Sequence, residues 1–333
     1  MRAIVCTRYG PPEVLELREV EKPTPSANDV LIRIRATSVT AADCEIRRFE
    51  FPGWVWIPLR LWFGVRKPRR PILGQTLAGT VEATGRDVRL YQEGDRVFGA
   101  SGVGLGTHAE YICLRENPRD GALTTMPANA SYEECAAVPY GGLEALRFLR
   151  KANLRAGQQV LVIGAGGSFG TFAVQLAKLS GAVVTAVDSA GKLDMLRSIG
   201  ADQVLDYTRG DYTAAGDTYD VIFDVAGKSR FSRSVRLLRS EGVFLLSNPH
   251  FPQLVRGLWI SLTSRRKVVF GASSGTSQDL AYLRGLIESG KLRSVLDRRF
   301  ALEQMVEAHR RAESGEKLGD VIITIPGRDL PAT

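Results

Sequence analysis

The sequence predicts an α/β protein of more than one domain, and three observations predict it. The first third is strand-rich, with short β-branched runs separated by Pro, Gly, Asn and Asp. From Gln159 onward strands alternate with amphipathic helices, the pattern of a parallel sheet covered on both faces. Between the first of those strands and its helix lies a glycine-rich turn, GAGGSFG at 164–170. At 333 residues the chain is also too long for one comfortable core.

Taken in order, strand-like runs fall at 3–6, 30–36, 79–83, 96–98 and 109–113. The stretch 49–70, FEFPGWVWIPLRLWFGVRKPRR, holds three of the four tryptophans and reads as an aromatic loop broken by Pro58 and Arg60. Such a loop suits three uses. It can line or cover a pocket for a bulky apolar ligand, touch a membrane through a basic amphipathic surface, or pack on the protein's own body. His108 and the glycines from Gly99 to Gly106 read as a turn and a strand start. Residues 160–163 form a buried strand, followed by a helix over 170–179 with Phe169, Phe172, Ala173, Leu176 and Leu179 on one face and Gly181 as its C-cap. A strand at 183–187 leads to a helix closed by Gly200, and strands at 204–205, 221–224, 243–246 and 268–270 continue the alternation. Helices over 278–289 and 302–312 and a strand at 321–325 complete the pattern.

Composition narrows the function classes. With 44% hydrophobic and 24% charged residues the chain has ordinary globular proportions. No run approaches the ~18 apolar residues of a membrane span. The N-terminal MRAIVCTRYG reads as a first strand, its apolar part being too short for a signal peptide, so a cytoplasmic location is expected. The four cysteines (Cys6, Cys44, Cys113, Cys135) make no CxxC pair and the three histidines are scattered. Neither a disulfide framework nor a zinc ribbon follows, and a transition-metal site lacks its ligands. The net charge of +8 sits in short basic clusters without a recognition motif; these read as solvated helix ends and loops, and no specific nucleic acid is expected.

The stretch VLVIGAGGSFGTFAVQLAK, 160–178, carries the strongest chemistry. Turning on Gly164, Gly166, Gly167 and Gly170, with Ser168 and Phe169 in the same loop, the backbone can approach a pyrophosphate held by amide N–H groups and a helix N-terminus. The literal G-x-G-x-x-G is not met, since its third glycine would be Phe169; the spacing is Gly164-x-x-Gly167-x-x-Gly170. An acid about twenty residues on completes a dinucleotide-binding pattern. It is Asp188, placed to accept from ribose hydroxyls and to repel a 2′-phosphate, whereas Ser189 and Lys192 both suit a phosphate. Alternatively Asp188-Ser189 caps the next helix.

The stretches ATSVTAADCEIR (36–47), PILGQTLAGTVEATG (71–85), EGDRVFG (93–99), HAEYI (108–112), AAVPYGGLEAL (136–146), the glycine loop, IGADQVLDY (199–207) and DVIFDVAG (220–227) cover nearly the whole chain. Together they resemble the medium-chain dehydrogenase/reductase superfamily, most closely its zinc-independent quinone oxidoreductase (zeta-crystallin-like) branch. The resemblance implies a GroES-like catalytic domain over 1–125, a Rossmann nucleotide-binding domain over 126–270 and a return to the first domain over 271–333. Zinc-dependent members have Cys where this chain has Thr40 and a His-Glu pair where it has Gln75-Thr76. They also have four closely spaced structural cysteines where it has only Cys113. A hydroxyl and an amide do not hold Zn²⁺, so no metal is expected.

What the resemblance implies is hydride transfer from NAD(P)H to a quinone or an α,β-unsaturated carbonyl, and the aromatic stretch 49–70, as a pocket lining, favours a bulky apolar one. Thr40, Gln75 and Tyr140 are the expected donors near the nicotinamide, with Tyr140 or a water supplying the proton. Thr40 and Gln75 alternatively only bond backbone, and Asp43 is expected to hold its loop. Tyr207 is expected near the adenosine end, Ala226 and Gly227 at another strand end, and Ser247 and Phe270 at later ones. Glu144 departs from a family threonine, and a carboxylate there either finds a basic partner or perturbs coenzyme binding. Asp188 replaces a neutral residue of NADPH-preferring relatives, so NAD(H) and NADP(H) both stay open. A homo-oligomer, dimer or tetramer, is implied. Two alternatives stand: an NAD(P)-dependent alcohol dehydrogenase of the same fold, and a non-catalytic dinucleotide- or RNA-binding relative.

Overall fold

The computed structural model describes residues 1–214, 216–225, 227, 229–271 and 275–326, with only the backbone of Trp54. The chain divides into two compact units, Met1–Leu143 with Ser274–Thr333, and Glu144–Ser273.

The N-terminal part runs β1 (Arg2–Cys6), β2 (Leu15–Glu19), β3 (Asp29–Val39), α1 (Ala41–Arg48), α2 (Gly53–Phe63), β4 (Thr76–Thr84), β5 (Arg96–Ala100), β6 (Tyr111–Arg115), β7 (Ala122–Thr125) and α3 (Tyr132–Ala152). The next part runs β8 (Gln159–Ile163), α4 (Ser168–Leu179), β9 (Val183–Asp188), α5 (Leu193–Ser198), β10 (Gln203–Asp206), β11 (Tyr219–Asp224), α6 (Phe231–Arg236), β12 (Leu238–Leu246), α7 (Phe251–Thr263) and β13 (Lys267–Phe270). The C-terminal part adds α8 (Ser277–Glu288), β14 (Leu296–Ala301), α9 (Met305–Glu313) and β15 (Asp320–Thr324).

In the first unit β1 pairs with β2, and a larger sheet has the order β14-β15-β3-β4-β5-β7, with β6 also on β3. The long β3 is its hub: alternate residues Val30, Ile32 and Ile34 are buried against Leu77, Val81, Val97, Val321 and Ile323. The last strand, β15, lies antiparallel to β3, with Val321 opposite Val39 and Thr324 opposite Ala36. The first unit runs past residue 125, where the sequence suggests a boundary, because 126–143 is tied to the C-terminal part. Asn129 Nδ2 donates to the carbonyls of Ile287 at 3.2 Å and Glu288 at 3.3 Å, and Ser294 Oγ to Glu134 O at 2.7 Å.

The second unit is the expected α/β layer structure. Its sheet has the order β10-β9-β8-β11-β12-β13, and every pairing is parallel. Val160, Leu161 and Val162 are all fully buried, as a strand covered on both faces requires. The order reverses between β8 and β11, and in such sheets ligands bind outside the carboxyl ends of the strands at that point.

One expectation fails plainly. The segment 49–70 is not a loop: eleven of its residues form α2. Being apolar nearly all round, it lacks the periodic polar face that would betray a helix in sequence. Pro58 removes one backbone donor but does not end it.

Candidate active site

In the first unit Thr40 is the N-cap of α1 and forms a capping box with Asp43. The Thr40 hydroxyl donates to Asp43 Oδ2 at 2.7 Å, Thr40 N donates to the same oxygen at 2.8 Å, and Asp43 N donates back to Thr40 Oγ1 at 3.1 Å. Asp43 Oδ1 accepts from Gly74 N at 3.1 Å. One buried carboxylate therefore ties the start of α1 to the turn before β4. Gly74 has φ of 93°, and a Cβ there would lie 2.3 Å from Thr107 Oγ1 and 2.4 Å from His108 Cδ2, so only glycine fits. Thr76 is held beside it, its hydroxyl 2.8 Å from Ser38 Oγ.

Between these fixed neighbours sits Gln75, half-buried, its Nε2 making one long bond of 3.5 Å to Gly102 O. Its Oε1 is buried and has no hydrogen-bond partner among the described residues. Tyr140 is half-buried on α3. Of the three expected donors, Thr40 departs from its assigned part: its only proton is committed to Asp43, and it is fully buried.

Thr40 and Gln75 do not fit zinc, because a hydroxyl bound to a carboxylate and a neutral amide are not among its usual ligands. The structure does bring together a grouping hidden by the scattered sequence positions. Ligand-type atoms of Cys44, His309 and Glu313 lie within 4.8 Å of one another. Each is engaged: Cys44 Sγ is 3.4 Å from His309 Nδ1, and Glu313 pairs with buried Arg47. Burial pushes the Cys44 thiol up to about 12 and holds His309 well below the usual imidazole range. A protonated thiol beside a guanidinium is a poor setting for a cation.

In the second unit the glycine loop follows β8. Gly164 turns with φ of 79°, and α4 then begins at Ser168 with Gly167 as an N-cap that offers no side-chain bond. No capping side chain bonds the first turn of this twelve-residue helix, a start that suits an anion. A Cβ on Gly170 would meet Gly164 O at 2.4 Å and Ala165 O at 2.5 Å, whereas one on Gly167 would find its nearest atom at 3.9 Å. The loop is packed tightly on its inner side and open at Gly167, which fits a diphosphate resting on main-chain amides. Phe169 turns away into a cluster with Phe148 and Phe223, at ring distances of 6.1 and 5.2 Å.

Asp188 ends β9 and is only 4% exposed. Its Oδ2 accepts from Gly166 N at 2.7 Å, and its Oδ1 from Ser189 N at 2.8 Å, with Lys192 Nζ 3.1 Å away. The carboxylate braces the glycine loop and is already paired, which the acid's position in sequence did not reveal. Tyr207, exposed after β10, has its N–H on Asp188 O at 3.3 Å. Gly227 donates to Asp224 Oδ1 at 2.8 Å, and Ser247 Oγ to Val225 O at 2.5 Å. Phe270 is the last residue of β13. Ala226 lies outside the described residues. Asp188, Tyr207, Gly227, Ser247 and Phe270 are at or just after carboxyl ends of parallel strands. Glu144 has found its basic partner, Arg147 Nη2, at 2.8 Å. Sequence reasoning missed Asp224, a fully buried acid ending β11 that shapes the Gly227 turn; its only signal was an acid closing an apolar run.

Residues 26–142 match the family profile described as alcohol dehydrogenase GroES-like domain, and residues 199–323 the one described as zinc-binding dehydrogenase. Over 336 residues the chain is 30% identical to 2-methylene-furan-3-one reductase of Solanum lycopersicum, covering 97% of this chain and 79% of that one. Over 339 residues it is 30% identical to the chloroplastic quinone-oxidoreductase QR1 of Triphysaria versicolor, covering 97% and 98%. The solved quinone oxidoreductase from Coxiella burnetii is similar with a TM-score of 0.86 at 27% identity, over 98% of this chain and 99% of that one.

Proposed function

This chain belongs to the medium-chain dehydrogenase/reductase superfamily, and we propose that it is a metal-independent reductase of quinones or α,β-unsaturated carbonyls. As an oxidoreductase of that superfamily it needs a coenzyme cradle, and the β8–α4 loop supports one: tight at Gly170, open at Gly167 and uncapped at α4. Its amides would hold the diphosphate, with Asp188, Ser189, Lys192 and Tyr207 toward the adenosine ribose and Gly227, Ser247 and Phe270 at the remaining strand ends. The Asp188–Lys192 pair leaves either coenzyme admissible, since the carboxylate that would repel a 2′-phosphate is already balanced by an ammonium.

When bound, a reduced nicotinamide supplies the hydride, delivered to a quinone or to the β-carbon of an enone. The protein's task is then to orient the acceptor and to meet the negative charge that collects on its oxygen. Gln75 and Tyr140 are the donors we assign to that oxygen, with Tyr140 or a water returning the proton. Thr40 serves as a positioning residue: through Asp43 and Gly74 it fixes the turn that carries Gln75.

The observation that carries the metal-free reading is the donor set itself, a hydroxyl bonded to Asp43 and an amide at the two positions. Its test is oxidation of NADH and NADPH against a panel of quinones, enones and aldehydes, with and without a strong chelator. Turnover of quinones or enones that ignores the chelator is expected, with Tyr140→Phe lowering kcat about 10- to 100-fold while coenzyme affinity holds. Chelator-sensitive interconversion of alcohols and aldehydes, with no quinone or enone turnover, would make it an alcohol dehydrogenase instead.

A further inference from the structure

We propose that α2 and the basic segment behind it form a docking surface for an anionic phospholipid bilayer. On one side α2 is anchored. Phe63 packs on the core and stacks on Phe51 at 6.0 Å, and the Arg60 guanidinium lies over the rings of Tyr9 at 4.3 Å and Phe49 at 4.4 Å. On the other side Ile57, Leu61 and Trp62 are 67%, 58% and 65% exposed, and Val65 just beyond is 58% exposed. Within the helix the four-residue spacing puts Ile57 and Leu61 on one face with Trp62 beside them, and Val65 follows the Gly64 C-cap, so four large apolar side chains are exposed within nine residues.

Charge selects the occupant. Residues 51–70 contain five Arg or Lys and no Asp or Glu. Arg66, Lys67, Arg69 and Arg70 are exposed, and none has an acidic partner among the described residues. The nearest acids are engaged: Glu50 with Arg48 at 2.8 Å, and Asp120 with Val103 N at 2.7 Å. A cleft of about 210 Å³ is walled by Trp62, Phe63 and Val103 and edged by Arg69 and Arg70. Two guanidiniums beside aromatic walls suit a phosphodiester whose apolar tail runs alongside. Tryptophan at the headgroup level with basic residues next to it is the composition of a helix lying in a membrane interface. A second copy of the chain is a poorer occupant, because matching this face to itself would set cations against cations.

The test is flotation of the full chain with vesicles of phosphatidylcholine alone and of equimolar phosphatidylcholine and phosphatidylserine. Binding to the mixed vesicles only, weakened by high salt, is expected. Each cation at such a surface contributes about fivefold, so Arg69→Gln with Arg70→Gln should weaken binding about 25-fold. Leu61→Ser with Trp62→Ser should weaken it at least 10-fold, with thermal melts confirming that both variants fold. The stripe on α7 (Leu258 and Trp259 exposed) serves as the control, and Leu258→Ser with Trp259→Ser should leave binding intact. Unchanged binding in both α2 variants, loss only in the α7 variant, or no vesicle binding together with an oligomer that the α2 variants dissociate would each overturn the proposal.

Discussion

Two glycines of one loop make opposite predictions, and together they test where the coenzyme's diphosphate rests. At Gly170 an added Cβ would stand 2.4 Å from Gly164 O and 2.5 Å from Ala165 O, both backbone atoms of the turn, so the turn must open to admit it. Overpacking of this kind costs about 1–3 kcal/mol, offset by up to about 1 kcal/mol of better helix propensity. Gly170→Ala should therefore destabilise by about 1–2 kcal/mol. At Gly167 the nearest atom would be 3.9 Å away, and φ of −88° with ψ of 176° is ordinary for alanine. Gly167→Ala, which trades a tolerated N-cap residue for a poor one, should cost no more than about 1 kcal/mol. Its methyl would nonetheless stand in the open face of the anion cradle, so coenzyme affinity should fall about 10- to 100-fold, or ~1.4–2.8 kcal/mol. Urea unfolding gives the stabilities and nicotinamide fluorescence titration the affinities. If Gly167→Ala binds both coenzymes like the parent at unchanged stability, the diphosphate does not rest on this loop.

Two further outcomes follow from buried charge. His309 and His108 are fully buried, and both are held below the usual imidazole range by burial; for His309 the neighbouring His108 and Arg47 lower it further. Because the unfolded chain takes up protons near pH 6.5 and the folded chain does not, stability is full above that pH and falls as pH drops below it. The slope is about 1.4 kcal/mol per pH unit for each histidine. Urea midpoints from pH 7.5 to 5 should show this fall, and His309→Leu should reduce the slope by about half; an unchanged slope would assign the acid sensitivity elsewhere. Lys192→Ala should leave Asp188 buried with two backbone donors and one long bond from Ser189 Oγ, costing about 2–3 kcal/mol of stability and shifting relative affinity about 10-fold from NADPH toward NADH. A shift toward NADPH would show that Lys192 does not serve a phosphate.

Where the information is local, the fold and site were legible. The strands of the parallel sheet announce themselves as short β-branched runs, and the glycine loop is contiguous, so its place between β8 and α4 follows from pattern alone. The Thr40–Asp43 box is a four-residue motif of the same kind. What escaped depends on side-chain direction or on distant partners. Asp188 was locatable, but its carboxylate is turned back onto Gly166 and Lys192, four residues on. The Cys44–His309 contact joins residues far apart in sequence. Helix α3 contains Pro139 and adjacent Gly141 and Gly142, which read as breakers yet lie inside a helix sustained by burial of Cys135, Ala136, Ala137, Val138 and Ala145. Strand β14, LDRRFA, has Arg298 and Arg299 exposed side by side and, among the described residues, pairs with β15 alone, so no apolar run marks it.

The partnership of β15 with β3 has a temporal side. On the ribosome, the hub strand of the N-terminal unit is made about 280 residues before its neighbour Asp320–Thr324. Until then the stretch Ala36–Val39, beyond the part of β3 that β6 covers, lacks its neighbour, an invitation to wrong pairing in a crowded cell. The stretch Glu144–Ser273 is continuous and waits for nothing downstream. The nascent protein should thus acquire its parallel-sheet unit before its first unit can close, and truncation near residue 315 would leave the former foldable and the latter not.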